Sequence, residues 1–304
     1  MAARIDSILV PTDGSEVATL GARVGIDLAA RADADLHVLS VVESATVEPV
    51  LDEQSTADRS ERERTLEARA SDAVDAIAGR GMTHLRGRVT TAVEWGEPFR
   101  VIDDYVASND VDLVVMGTHG RTGLDRVLGS VIDKTLRTAS VPVVAVPPSV
   151  DDVPVGEATY EDVLVPTDGS DEAAVALDWA LALLGLYDGT LHTVYSADTS
   201  WFDGHDGVGD VHDALEARGE RALAAMRERA READVSVRGS IGTGPAARTI
   251  RSYSERNDVD AVVMATHGRS GVERYLIGSV TEAVVRTSDV PVCCVPITED
   301  ALRS

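Results

Sequence analysis

Lysine is almost missing from this chain. Of 28 basic residues among 304, Lys134 is the single lysine and the rest are arginine. Positive charge of any kind is scarce: 52 acidic residues leave a formal net charge of -24. That surface excludes duplex nucleic acid and anionic membranes as partners, because both are polyanions. Self-repulsion at this charge opposes the compact state, and molar salt relieves it by shortening the screening length to about 3 Å. The composition therefore reads as that of a protein for a salt-rich cytoplasm, from a halophile; the alternative is an ordinary acidic protein from a GC-rich genome, which also prefers arginine to lysine.

Aromatic residues make up only 4% of the chain. The cores must be built from Val, Leu, Ile and Ala. Cysteine is confined to Cys293 and Cys294. Neighbours on a strand point to opposite faces, so the two cannot bond to each other and read as small hydrophobes. Nothing calls for an oxidising compartment. The longest apolar run, Trp179 to Tyr187, is far short of the roughly 18 residues of a membrane span. The first residues lack the apolar core of a signal peptide. The expectation is a soluble, cytoplasmic chain. With 44% hydrophobic residues it is globular.

What is present is a repeat. Leu9-Val10-Pro11-Thr12-Asp13-Gly14-Ser15 returns as Leu164-Val165-Pro166-Thr167-Asp168-Gly169-Ser170, and Thr118-His119-Gly120-Arg121 returns as Thr266-His267-Gly268-Arg269. Each second phrase is followed by Gly-Ser-Val (Gly129-Ser130-Val131, Gly278-Ser279-Val280) and then by Val-Pro-Val. One fold is thus written twice, and the repeated parts are loops at strand ends. The expected divisions are 1–147 and 160–297, a Pro-rich linker over 148–159 and a tail over 298–304.

In the first unit, strand patterns at 8–10, 36–42, 85–93, 111–116 and 141–146 alternate with helical spacing at 15–31, 58–78, from 97 onward and at 130–138. The second unit repeats the order, with strands near Val163, Leu191, Val235, Val259 and Val290. This alternation predicts an α/β fold: two tandem, doubly wound, five-stranded parallel sheets of order 3-2-1-4-5. Ligands of such sheets sit beyond the carboxyl ends of the strands where the winding reverses, between strands one and four. Both repeated phrases fall at those ends.

After strand four, glycines allow backbone amides to approach an anion, and Gly129-Ser130 opens a helix whose free N–H groups suit phosphate. A glycine-rich turn with an N-cap and no ligand is the alternative. Neither a G-x-x-x-x-G-K-[ST] loop nor a G-x-G-x-x-G loop is present. Asp-Gly-Ser after strand one is also ordinary turn chemistry, so Asp13 and Asp168 serve either a ligand or an Asx-turn. His119 and His267 have no second His, Cys or Glu beside them in sequence and read as turn residues. Asp198 to Asp213 fits no metal motif and reads as a solvated acidic loop. No convergent nucleophile and base support a group-transfer enzyme.

These phrases resemble the universal stress protein family in tandem form, over nearly the whole chain. The resemblance implies the five-stranded α/β fold. It implies ATP, accompanied by Mg²⁺, in members whose loop reads G-x2-G-x9-G-[ST], and no ATP in members without it. Neither copy matches fully. The first has Gly117, Gly120, Gly129 and Ser130 but eight residues between Gly120 and Gly129. The second has the nine, with Ala265 at the first glycine. Carried across by resemblance, the nucleotide set is Pro11, Asp13, Val41, Met116, Gly117, Gly120, Arg121, Gly129, Ser130 and Val131. Its second-copy counterparts are Pro166, Asp168, Ser196, Met264, Ala265, Gly268, Arg269, Gly278, Ser279 and Val280. The expected function is an ATP-binding stress-response regulatory module with at most slow hydrolysis; the other reading is a ligand-free protein acting through dimerisation and a protein partner. The last strands of the two units are expected to pair as an internal pseudo-dimer, and a homodimer of whole chains is a further expectation of the resemblance.

Overall fold

The structure, a computed structural model, describes residues 4–43, 53–120, 128–150, 154–157, 159–198, 208–268 and 277–297. The chain divides into two units, one of Ile5–Ala158 and one built mainly of Thr159–Ser304. The first contains β1 (Ser7–Pro11), α1 (Glu16–Ala32), β2 (Asp35–Glu43), α2 (Glu53–His84), β3 (Val89–Gly96), α3 (Pro98–Ser108), β4 (Leu113–Gly117), α4 (Ser130–Thr138) and β5 (Val143–Val146). The second contains β6 (Asp162–Thr167), α5 (Asp171–Leu184), β7 (Thr190–Ala197), α6 (Val208–Glu232), β8 (Ser236–Thr243), α7 (Ala246–Arg256), β9 (Ala261–Ala265), α8 (Ser279–Thr287) and β10 (Val292–Val295).

Within the first unit the strands lie in the order β3-β2-β1-β4-β5, and within the second β8-β7-β6-β9-β10. The recorded pairings are parallel. This is the predicted 3-2-1-4-5 winding in each. Its cause is visible in the strands: β1, β4, β5, β9 and β10 are buried at every residue, as expected of strands covered by helices on both faces. The aromatic-poor core follows the composition, with Ile8, Leu9, Leu36, Leu113, Leu164 and Leu191 at its centre.

Small residues set how closely the first helix of the first unit approaches its sheet. A Cβ on Gly25 would lie 2.5 Å from a Val10 methyl, and one on Gly21 would lie 2.9 Å from the Gly117 amide nitrogen. The second repeat replaces Gly21 and Gly25 by Ala176 and Ala180, both fully buried.

β3 runs from Val89 to Gly96, later in the chain than the predicted 85–93, and two further elements differ from the sequence reading. The acidic stretch up to Asp213 is helical from Val208, so Asp210, His212 and Asp213 belong to α6 and not to a loop. Residues 199–207, with Asp203, His205 and Asp206, lie outside the described residues. The second difference is α2, which runs from Glu53 to His84, well past both predicted ends; its exposed, charged face leaves little hydrophobic periodicity to mark them. Cys293 and Cys294 are free and buried in β10. Burial pushes the Cys293 thiol up to about 12 and Cys294 well above its ordinary value.

Candidate nucleotide crevice

Thr12-Asp13-Gly14-Ser15 folds as a sequence of local hydrogen bonds. The Gly14 N–H donates to Thr12 Oγ1 at 3.1 Å and the Ser15 N–H to Asp13 Oδ1 at 2.9 Å. Ser15 Oγ then accepts from the Ala18 N–H at 3.2 Å and caps α1. Gly14 has φ +76°, the left-handed region a side chain resists. The second copy repeats every step: Gly169 to Thr167 Oγ1 at 3.0 Å, Ser170 to Asp168 Oδ1 at 3.0 Å, Ala173 to Ser170 Oγ at 3.3 Å, and Gly169 at φ +75°. The Asx-turn therefore uses one carboxylate oxygen of each aspartate. Thr12 and Thr167, which the sequence reading passed over, hold this turn; their place inside the repeated phrase was the available signal.

The second oxygen of each aspartate faces the loop after the fourth strand. A Cβ on Gly120 would lie 2.8 Å from Asp13 Oδ2, and one on Gly268 would lie 3.2 Å from Asp168 Oδ2. Phrases more than 90 residues apart in sequence thus meet in both copies, as the switch-point geometry requires. A side chain at 120 or 268 would begin against this carboxylate and push it aside.

The far end of the loop also matches between copies. The Gly129 N–H donates to the Thr118 carbonyl at 2.8 Å, and the Gly278 N–H to that of Thr266 at 2.7 Å. Gly129 (φ -62°, ψ 147°) and Gly278 (φ -60°, ψ 142°) are the N-caps of α4 and α8, with no side-chain cap bond. Ser130 and Ser279 therefore stand at the first helical position, both exposed, and do not cap. Val131 and Val280 follow, and Val280 is one of few exposed large hydrophobics. The one-residue difference in spacing leaves both loop ends unchanged and falls between them. Arg121, Arg269 and the rest of that stretch lie outside the described residues.

Gly117 has a different task from the other glycines. It keeps the extended backbone of β4, and a Cβ there would lie 2.7 Å from the Val17 carbonyl oxygen in α1. The position demands close helix packing, not a positive φ. Ala265 occupies it in the second copy inside β9, with its carbonyl accepting from Thr281 Oγ1 at 2.9 Å. The alanine is thus a packing change matched by Ala176 and Ala180, not a strained backbone.

Pro11 ends β1 and Met116 is the last but one residue of β4, both buried; Pro166, half-buried, and Met264, buried, are the last but one residues of β6 and β9. Val41 lies near the carboxyl end of β2, half-buried. Its counterpart Ser196 donates its hydroxyl to the Gly244 carbonyl at 2.5 Å. His119 and His267 each place Nδ1 against the preceding threonine hydroxyl, at 2.8 and 3.0 Å. Their Nε2 atoms are buried without a hydrogen-bond partner among the described residues. Burial lowers the His267 pKa, with Glu172 opposing the shift.

Among the described residues no group of three His, Cys, Asp or Glu side chains could hold a metal ion, and no helix is long and apolar enough to cross a membrane.

The sequence model of the universal stress protein family matches residues 4–147 and again 159–296. The chain is 32% identical over 143 residues to a universal stress protein of Methanocaldococcus jannaschii, covering 46% of this chain and 84% of that one. It is 32% identical over 190 residues to one of Mycobacterium tuberculosis, covering 61% of this chain and 62% of that one. The crystal structure of a universal stress protein from Archaeoglobus fulgidus superposes with a TM-score of 0.66 at 22% identity, over 98% of both chains, and shares the fold.

Proposed function

This chain belongs to the universal stress protein family, and from that premise we propose that it is an ATP-binding stress-response module working inside the cell. The observation that carries the reading is the paired crevice. In both copies an aspartate oxygen faces a glycine so closely that a Cβ would fill the space, and a helix N-terminus opens at the other end of the same loop. Free amides at such a terminus, with the helix dipole behind them, suit a polyphosphate. The aspartate supplies an acceptor for a ribose hydroxyl. The backbone at Val41 or Ser196, near the end of β2 or β7, would read the adenine edge.

The second copy is the stronger site. It has nine residues between Gly268 and Gly278, and its alanine stands at a packing position. Mg²⁺ would arrive with the phosphates and complete its shell with water, since small divalent cations keep several waters when bound through phosphate oxygens. Hydrolysis is at most slow, because among the described residues no acid or base converges on the phosphate end.

Calorimetric titration with ATP tests this. Saturable binding is expected in the parent protein, with Gly268→Val removing most of it and Gly120→Val removing any remainder. Absence of heat with ATP, ADP and AMP would reject nucleotide binding. Full affinity in the double variant would reject the crevice.

A further inference from the structure

The two repeats differ in charge beside the loop that follows their first strand. In the second unit a cavity of about 540 Å³ opens between the start of α5 and the middle of α6, within the range of small-molecule sites. Three arginines border it, Arg218, Arg221 and Arg229, against one carboxylate, Asp171; buried Met226 and Ala222 line it with Ala174 and Ala225. In a chain of net charge -24, this is a local excess of positive charge.

Arg229 is ion-paired with Asp178. Arg218 and Arg221 have no ion-pair partner among the described residues, although they sit on a helix rich in glutamate. They are three apart, so they share a helix face and repel. The first repeat does not keep this arrangement. Matching buried Val74 and Ile77 of α2 with buried Leu223 and Met226 of α6 places Asp72 where the second repeat has Arg221. The charge is reversed at one of the two positions.

The cavity adjoins the nucleotide crevice without being part of it. The turn residues Thr167, Gly169 and Ser170 line it, but its other described lining comes from α5 and α6, and neither Gly268 nor Gly278 is among it. Asp168 turns its carboxylate toward Gly268.

We propose that this cavity binds a small organic phosphate. Arg218 and Arg221 hold the phosphoryl oxygens, as guanidinium forks do, and the methionine and alanine lining takes the organic body. The inference stands independently of nucleotide binding in the crevice.

Phenyl phosphate is the probe, titrated by calorimetry into the full chain carrying Gly120→Val and Gly268→Val, so that the crevice is closed. Saturable binding is expected there and in the parent, with affinities within twofold. Adding Arg218→Gln and Arg221→Gln should weaken it at least tenfold. Arg221→Asp alone, which copies the first repeat, gives a second variant with the same expected loss. Both sets of changes are on an exposed helix surface, and circular dichroism checks that the fold is kept. No saturable binding in the parent would overturn the proposal. So would affinity retained in both arginine variants, or affinity lost when only the two glycines are changed.

Discussion

Gly117→Ala gives the sharpest test of why the motif begins with glycine. The new Cβ would lie 2.7 Å from the Val17 carbonyl oxygen and 2.9 Å from its carbonyl carbon. Both are main-chain atoms of α1, so no side-chain rotation gives relief. The helix must move by several tenths of an ångström, which also disturbs the Gly21 and Gly25 contacts that seat it. Overpacking of this kind costs about 2 kcal/mol. For a unit of this size that corresponds to a Tm lowered by roughly 4–8 °C. Thermal unfolding followed by circular dichroism reads it. Gly79→Ala is the internal contrast, because nothing lies within 4 Å of its Cβ site on exposed α2. There the helix gains up to about 1 kcal/mol from the better helix former. Gly117→Ala as stable as the parent would refute the packing role and return the position to backbone strain or ligand contact.

Other outcomes follow from the same geometry. Ala265→Gly should destabilise the second unit by about 0.5–1 kcal/mol, from backbone entropy alone, and leave ATP affinity unchanged; a gain in affinity would contradict the packing assignment. With a net charge of -24, Tm should rise steeply between 0.1 and 2 M KCl, and a flat response would count against adaptation to salt. Burial lowers the His37 pKa below 6.5, with Asp35 opposing and Arg88 adding to the shift. Between the folded and unfolded values the unfolded chain binds more protons, so this group's contribution to stability falls as pH drops through 6.5. Denaturant melts at pH 7 and pH 5 should show the loss, and His37→Gln should reduce it. Cys293 and Cys294 should resist a thiol reagent in the native state at pH 8 and react on unfolding; rapid native labelling would contradict their burial.

Most of the fold could be read from the chain because its signals are local and doubled. The buried strands announce themselves as unbroken Val and Leu runs, Ser15 and Ser170 cap where the helical spacing starts, and the repeat fixes the order. The crevice was legible for the same reason: two loop phrases recur together, and the winding rule brings their strand ends side by side. Less could be read of what each glycine does. Gly120 and Gly117 stand three residues apart in one phrase, yet one makes room for a carboxylate and the other for a helix backbone. That difference depends on neighbours distant in sequence. The same holds for Ser130, which stands at the first helical position because Gly129 is the N-cap. The charge reversal at Arg221 was invisible until the buried faces of α2 and α6 set the register between them.

A crystal structure of the protein grown with ATP and Mg²⁺ tests the central claim most directly. The polyphosphate is expected against the amides opening α8, beyond Gly278, with the sugar beside Asp168 and the base at the end of β7. Strong nucleotide density anywhere else, or an empty crevice at saturating ATP with the Asp168 and Gly268 loops still apposed, would contradict it.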